Sequence, residues 1–278
     1  MKQPENIRHV YFIGIGGIGM SALARYFDSR GIKVSGYDRT STVLTRELSS
    51  EGMSVVYDDD PVSLPTDVDE VVHTPAIPAT NRILQHFREK GYSLLKRSDV
   101  LQLISESSYN ICIAGTHGKT TISTMTAHLL RHSGYGCNAF LGGIASNYNT
   151  NFWSDKRDVS VIEADEYDRS FLKLSPDIAV ISAMDADHLD IYGTPEAMEQ
   201  AFIDFSGKIK QDGVLFTKYG LKRNAEMKTG RHFTYAVNNE SADVYGCNIR
   251  MKDGSYHYDV VNRGKNLNDV ELNMGGVH

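Results

Sequence analysis

The chain has 278 residues, 41% of them hydrophobic, with 29 Lys and Arg against 35 Asp and Glu. That length suits two domains, each with its own core, and a formal charge of −6 argues against a nucleic-acid binder driven by phosphate contacts. Three widely spaced cysteines (Cys112, Cys137, Cys247) form neither a disulfide framework nor a zinc pattern.

No run approaches the ~18 apolar residues of a membrane-spanning helix. The first eight residues are polar, and the apolar run Val10–Ile15 is short and broken by glycines, which does not fit a secretory signal. The expectation is a cytoplasmic protein without membrane insertion.

From His9 to Met20 a buried strand runs into a Gly14-x-Gly16-x-x-Gly19 turn, with Gly17 inside it. A helix is predicted from Ser21 to about Ser29, ended by Gly31. The next strand, Lys33–Asp38, finishes in an acid about 20 residues past the glycines. This βαβ pattern fits a dinucleotide site with Asp38 on a ribose hydroxyl. It fits other diphosphates equally, because backbone N–H groups and a helix dipole do not select nicotinamide. Short strands are expected at Val55–Tyr57 and Glu70–His73, the latter ending in a turn through Thr74 and two prolines. A helix over Asn81–Lys90, a strand at Tyr92–Leu95 and a helix starting near Lys96 follow. Arg97, at that helix start, can meet a carboxylate or diphosphate. The polar run Ser105–Asn110 is the best boundary, giving domains 1–107 and 108–278.

The second part opens with an apolar strand, Ile111–Ala114, that breaks into Gly115, Thr116, His117, Gly118, Lys119, Thr120 and Thr121. A helix follows, with Ile122, Met125, Leu129 and Leu130 spaced to share one face, and Gly134 as its stop. Strand, glycine turn, Lys-Thr and helix make a phosphate cradle: backbone N–H groups and a helix N-terminus, the full charge of Lys119, and a Thr120 hydroxyl able to ligate Mg²⁺. The general P-loop pattern wants Gly where Ile113 stands. Two further apolar strands end in carboxylates, at Glu163–Glu166 and at Asp185–His188. In a parallel sheet these ends share the edge of the Gly115 loop, so Thr120, Glu163 and His188 can converge on a phosphate-bound cation. Asp165 and Asp185 read as solvated acids at strand ends. Phe140–Gly143 and Ser146–Asn149 read as a substrate-side loop, Pro195–Ile209 as an amphipathic helix, and the chain beyond Arg231 as short β segments.

The Gly115–Thr121 loop resembles the nucleotide loop of the Mur ligases, the ATP-dependent enzymes that build the peptide of bacterial peptidoglycan. The segments 163–166 and 185–190 resemble two further motifs of that family, in which the Glu and the His bind metal. The Gly14–Met20 loop is similar to the one that holds the UDP of the sugar substrate. The resemblance implies an α/β protein: an N-terminal Rossmann-like parallel-sheet domain followed by a P-loop ATPase-like α/β central domain. It also implies ATP and Mg²⁺ as cofactors, and an acyl-phosphate route. Lys119, Glu163 and His188 would carry the chemistry, the Gly115–Thr121 loop would bind ATP, and Gly14, Gly16, Gly17, Gly19, Asp38, Thr74 and Arg97 would bind the sugar nucleotide. The first ligase of the series is the most similar, with UDP-N-acetylmuramate and L-alanine as its substrates. A murein tripeptide ligase is the alternative within the family; an NAD-dependent oxidoreductase or a non-catalytic nucleotide sensor are alternatives outside it. The family pattern continues beyond His278 into a C-terminal ligase domain, so the expectation is a piece of a longer enzyme, inactive alone.

Overall fold

The computed structural model describes residues 7–167 and 169–273. Two compact units emerge. One combines the chain up to Tyr109 with Ser123–Glu163, and the other combines Asn110–Ile122 with the chain from Ala164 onward.

The first unit is organised on a five-stranded, all-parallel sheet. Its strands are β1 (His9–Ile13), β2 (Lys33–Tyr37), β3 (Ser54–Val56), β4 (Glu70–His73) and β5 (Leu94–Lys96), in the order β3-β2-β1-β4-β5. Every residue of β1 is buried, as expected of a central parallel strand covered on both faces. Helices α1 (Ile18–Ser29), α2 (Val43–Ser50) and α3 (Arg82–Glu89) connect its strands, and α4 (Arg97–Ser107) follows β5. The cap of α3 is Asn81, whose side chain accepts from Leu84 N at 3.0 Å. Tyr11, Ile13, Val71, Ile83, Leu84 and Phe87 form a core on one side of this sheet. The order of strands reverses between β1 and β4, so the loops after these two strands flank the crevice where open α/β sheets take ligands.

Helix α1 starts at Ile18, three residues earlier than the sequence pattern suggests, because the Gly14–Gly17 turn is tight enough to begin the helix within the glycine motif. It also packs against two further strands of the same unit, β7 (Asn138–Ala145) and β8 (Thr150–Trp153), and β7 pairs in turn with β9 (Val159–Glu163). Tyr26 meets Phe140 there with ring centroids 5.3 Å apart. The wholly buried Asn151 donates to Ile18 O at 2.5 Å and Ser21 Oγ at 3.0 Å, and accepts from Arg25 Nη1 at 2.6 Å. Arg25 in turn meets Glu47 and Glu51 of the α2 region. Phe140–Gly143, expected as a loop, therefore lies within a strand. Phe140 pairs with Phe152, and a register shift between Phe140 and Ala145 absorbs the two glycines.

In the second unit, β6 (Tyr109–Ala114), β10 (Ile178–Ile181), β11 (Val214–Lys218) and β12 (His232–Val237) run parallel. They continue into a meander of β13 (Val244–Lys252), β14 (Ser255–Asn262) and β15 (Lys265–Leu272). Both hairpin turns have two residues at positive φ, Asp253-Gly254 and Arg263-Gly264, the pattern of type I′ turns. Helix α5 (Lys119–His132) follows β6; its first turn belongs to this unit and the remainder to the first. Its buried positions are Ser123 and Ala127, whereas Leu129 is 64% exposed. The expected Ile122–Leu130 stripe thus differs from the face that is fully buried, because small side chains let the helix pack close. The four-residue α6 (Leu189–Tyr192) and α7 (Pro195–Ser206), capped by Thr194, follow β10. Among the described residues no helix is long and apolar enough to cross a membrane.

Two side chains in the first unit lead to stability predictions. Tyr11 buries its hydroxyl without a hydrogen-bond partner, and burial raises its pKa. Tyr11→Phe removes that unsatisfied group without changing shape, so it should stabilise the chain by about 1 kcal/mol in urea unfolding. Asp67 accepts from Lys33 Nζ at 2.8 Å and pairs with the buried His9 at 2.9 Å, contacts that hold its carboxyl down at about 2. A depressed carboxyl stabilises the fold above its unfolded value of about 4, and this is lost as pH falls towards 2. Asp67→Asn should accordingly flatten the fall in melting temperature between pH 4 and 2.

Candidate active site

The register of β6 against β10 pairs Ala114 with Ile181, so the loops that follow both strands leave the sheet at the same edge. The main-chain N–H of Ala164 donates to Ile113 O at 2.9 Å, which brings the Ala164–Glu166 segment to that edge too. Ser182 closes the phosphate loop. Its hydroxyl lies 3.2 Å from Ala114 O and 2.5 Å from His117 O. Thr116 is fixed on both sides: its N–H donates to Ala183 O, and its hydroxyl accepts from Asp185 N at 3.2 Å. Gly115 sits at φ +130°, and a Cβ there would stand 2.2 Å from Ser182 Oγ and 2.8 Å from Ala183 N. Nothing in the sequence pattern marked Ser182. A small hydroxyl one residue past an apolar strand is too common a feature to single out.

Lys119, first residue of α5, folds back across this loop. Its ammonium donates to Gly115 O at 2.9 Å and to Glu166 Oε1 at 2.7 Å. Glu166 is wholly buried, its second carboxylate oxygen has no partner, and its main-chain carbonyl accepts from Tyr192 Oη at 2.7 Å. Burial raises the Glu166 pKa, and the hydrogen bond from Lys119 opposes that rise. His188 Nε2 stands 3.9 Å from the same Glu166 oxygen. The backbone of His188 is left-handed at φ +49°, an unusual state for a side chain of this size and one that clusters at functional sites. Its N–H is held by Asp187 Oδ1 at 2.8 Å and its ring lies edge-on to Tyr167. The structure thus brings Lys119 and His188 together around Glu166, a residue that reads in the sequence as one more acid at a strand end. His117, Thr120 and Thr121 are exposed on the loop and the first helical turn, with His117 3.9 Å from the Asp185 carboxylate. Among the described residues, no three His, Cys, Asp or Glu side chains form a metal cluster by themselves.

Glu163, in the first unit, ends β9 half-buried. Its Oε2 accepts from Gly142 N at 2.9 Å and lies 3.4 Å from Ser123 Oγ. A Cβ on Gly142 would fall 2.3 Å from this carboxylate, so the glycine makes its position possible.

The other glycine loop lies wholly in the first unit. Gly14 N and Ile15 N both donate to Tyr37 O, which bends the chain after β1. Asp38 turns into the loop: its Oδ2 accepts from Gly16 N at 2.8 Å and its Oδ1 from Thr40 N at 3.2 Å. Arg97 lies directly over Gly19 at the start of α1, placing a guanidinium at the positive end of that helix. The Thr74 methyl packs on Gly14, while Gly17 caps α1 and is exposed. Together, Gly14, Gly16, Gly19, Thr74 and Arg97 surround one helix N-terminus, and Asp38 braces the turn beneath it.

The two kinds of glycine contact predict different responses to alanine. Gly115→Ala meets main chain at a positive φ and should cost about 1–3 kcal/mol in denaturant unfolding. Gly142→Ala meets only the movable end of Glu163 and should cost well under that.

The Mur ligase family catalytic domain matches residues 9–109, and the Mur ligase middle domain matches residues 113–278. A UDP-N-acetylmuramate–L-alanine ligase of Parabacteroides distasonis is 48% identical over 97% of this chain and 60% of its own length. One of the same name from Christiangramia forsetii is 42% identical over 100% and 61%. The chain therefore spans about three-fifths of the length of these curated relatives. A crystal structure of UDP-N-acetylmuramate–alanine ligase from Thermotoga maritima superposes with a TM-score of 0.84 at 27% identity, covering 97% of this chain and 61% of that one. A UDP-N-acetylmuramate:L-alanyl-γ-D-glutamyl-meso-diaminopimelate ligase of Neisseria meningitides shares the fold, with a TM-score of 0.85 at 22% identity over 98% of this chain and 89% of its own. Two successive domain matches, in order, cover nearly all of the sequence: the chain belongs to the Mur ligase family.

Proposed function

We propose that this chain is the sugar-nucleotide-binding and ATP-binding part of a ligase that joins L-alanine to UDP-N-acetylmuramate at the expense of ATP. The observation that carries the reading is Lys119, its ammonium held within the Gly115–Thr121 loop beside His188. Relatives bearing that name at 42–48% identity supply the substrates. A murein tripeptide ligase is the second reading, supported by fold alone. An oxidoreductase fits poorly, since it leaves the Gly115–Thr121 loop and the Lys119 ammonium held across it without a role.

In this reading, UDP lies at the N-terminus of α1, where the glycine turn presents N–H groups and Arg97 adds a positive charge. ATP lies along the Gly115–Thr121 loop, with Lys119 on its phosphates. The muramate carboxylate attacks the γ-phosphorus, ADP leaves, and the amine of alanine displaces phosphate from the acyl phosphate to form the amide. The central difficulty is the approach of one anion to another, and the Lys119 ammonium and loop N–H groups offset it. The donors suit Mg²⁺: the Thr120 hydroxyl and Glu163 carboxylate are hard oxygens, and one buried oxygen of Glu166 is unpartnered. By the family resemblance, Thr120, Glu163 and His188 would each serve as a metal ligand. When bound, Mg²⁺ neutralises charge building on the phosphoryl oxygens. Ser182 and Thr116 keep the loop rigid.

Calorimetry on this chain tests the first half. UDP-N-acetylmuramate should bind and NADH should not; the reverse overturns the assignment of the Gly14–Gly19 loop. For the second half, Lys119→Ala in a full-length enzyme should lower alanine-dependent phosphate release by about a hundredfold or more, the scale of one lost transition-state contact. Turnover within threefold of the unsubstituted enzyme would sink it.

A further inference from the structure

Lys119 and Glu166 form a buried ion pair inside the loop where phosphate is expected. The Lys119 side chain is 14% exposed and the Glu166 side chain 0%. The ammonium already has two partners, Gly115 O and Glu166 Oε1. Of the carboxylate's two oxygens, one is bound to this lysine and the other has none. A phosphate can recruit Lys119 only by drawing it from this carboxylate or sharing it with it. We propose that Glu166 is a positioning residue that serves as the internal counter-ion of Lys119. It holds the ammonium in the empty loop, gives it up to the incoming nucleoside polyphosphate, and thereby sets nucleotide affinity. The proposal rests on the ATP reading of the loop.

Three features support exchange over a permanent structural bridge. Among the described residues, Glu166 has no other cation within hydrogen-bond distance, so its hold on Lys119 is a single contact. His188 Nε2, 3.9 Å from the same oxygen, is placed to approach the carboxylate when the lysine leaves. Glu166 is itself anchored through its main chain by Tyr192 rather than through its carboxylate, so losing Lys119 does not unseat it. Nucleotide affinity is reduced by whatever fraction of molecules keeps Lys119 on Glu166.

The test is ADP binding by calorimetry in EDTA, where no divalent cation contributes. Glu166→Gln keeps shape and the Tyr192 contact but removes the charge. It should bind ADP about tenfold more tightly than the unsubstituted chain, as expected if roughly a tenth of molecules offer a released lysine. The gain should vanish in the Lys119→Ala background, where Glu166→Gln has no lysine to release. Equal or weaker ADP binding by Glu166→Gln overturns the proposal, as does a gain that persists without Lys119, which would report plain charge repulsion. Absence of ADP binding by the unsubstituted chain, with or without Mg²⁺, would instead overturn the ATP reading itself. If Glu166→Gln fails to fold, the unsubstituted chain still decides the matter. The ¹⁵Nζ resonance of Lys119, assigned with Lys119→Arg, should shift on adding ADP and not adenosine. An unmoved resonance under saturating ADP overturns the exchange.

Discussion

The second unit depends on a charge buried where water cannot reach it. An ion pair in such a place loses most of the hydration of both partners, and their attraction makes up the loss only when geometry is good. Glu166 and Lys119 meet that condition on one oxygen and leave the other unsatisfied. As a device for stability this is poor design. As preparation for a ligand it is coherent: the carboxylate keeps a lysine ordered in a cradle of N–H groups that would otherwise repel it. Gly115, Ser182 and Thr116 fix the cradle around that pair, so the loop need not reorganise much before meeting phosphate.

The two glycine loops of this chain solve a similar problem by different means. The loop after β6 carries its full charge within the motif, on Lys119. The loop after β1 carries none, and gains its cation from Arg97 at the start of a helix far along the chain. Acids play opposite parts as well. Asp38 satisfies loop N–H groups directly and so stiffens the turn, whereas Glu166 engages the lysine and leaves the loop N–H groups for a ligand.

Much of this was legible from the sequence, and the exceptions share a cause. Strands β1, β4 and β6 stand out because a buried parallel strand is a plain apolar run, and both glycine loops stand out because turns at strand ends need that residue. Glu166 and Ser182 did not, since their roles come from what lies across the sheet edge rather than from neighbours in sequence. The stripe Ile122–Leu130 has helical spacing, yet Leu129 faces solvent, because periodicity reports apolar side chains without saying which face is met by a partner. Phe140–Gly143 looked like a loop because two glycines interrupt it. Strand β7 accommodates them as a bulge, and Gly142 is there to admit the Glu163 carboxylate. Asp38 sat at the expected place in the motif but with its carboxylate turned inward, a choice made by the N–H of Gly16.

Strain tells the same story at His188. A left-handed backbone at a non-glycine residue persists only where its surroundings over-determine it. Here the Asp187 carboxylate holds the His188 N–H, Tyr167 meets the ring edge, and α6 begins immediately afterwards, with Ile191 N and Tyr192 N both donating to His188 O. Helix α6 is only four residues long and contributes little as a helix. Its use is geometric: it carries Tyr192 back to the Glu166 main chain, so that the segments bearing the strained histidine and the buried carboxylate are tied by a hydrogen bond from the side chain four residues beyond His188 to the main-chain carbonyl of Glu166. The imidazole and the carboxylate are therefore positioned as a unit, while Lys119, tied to that unit by a single contact, remains the member able to move.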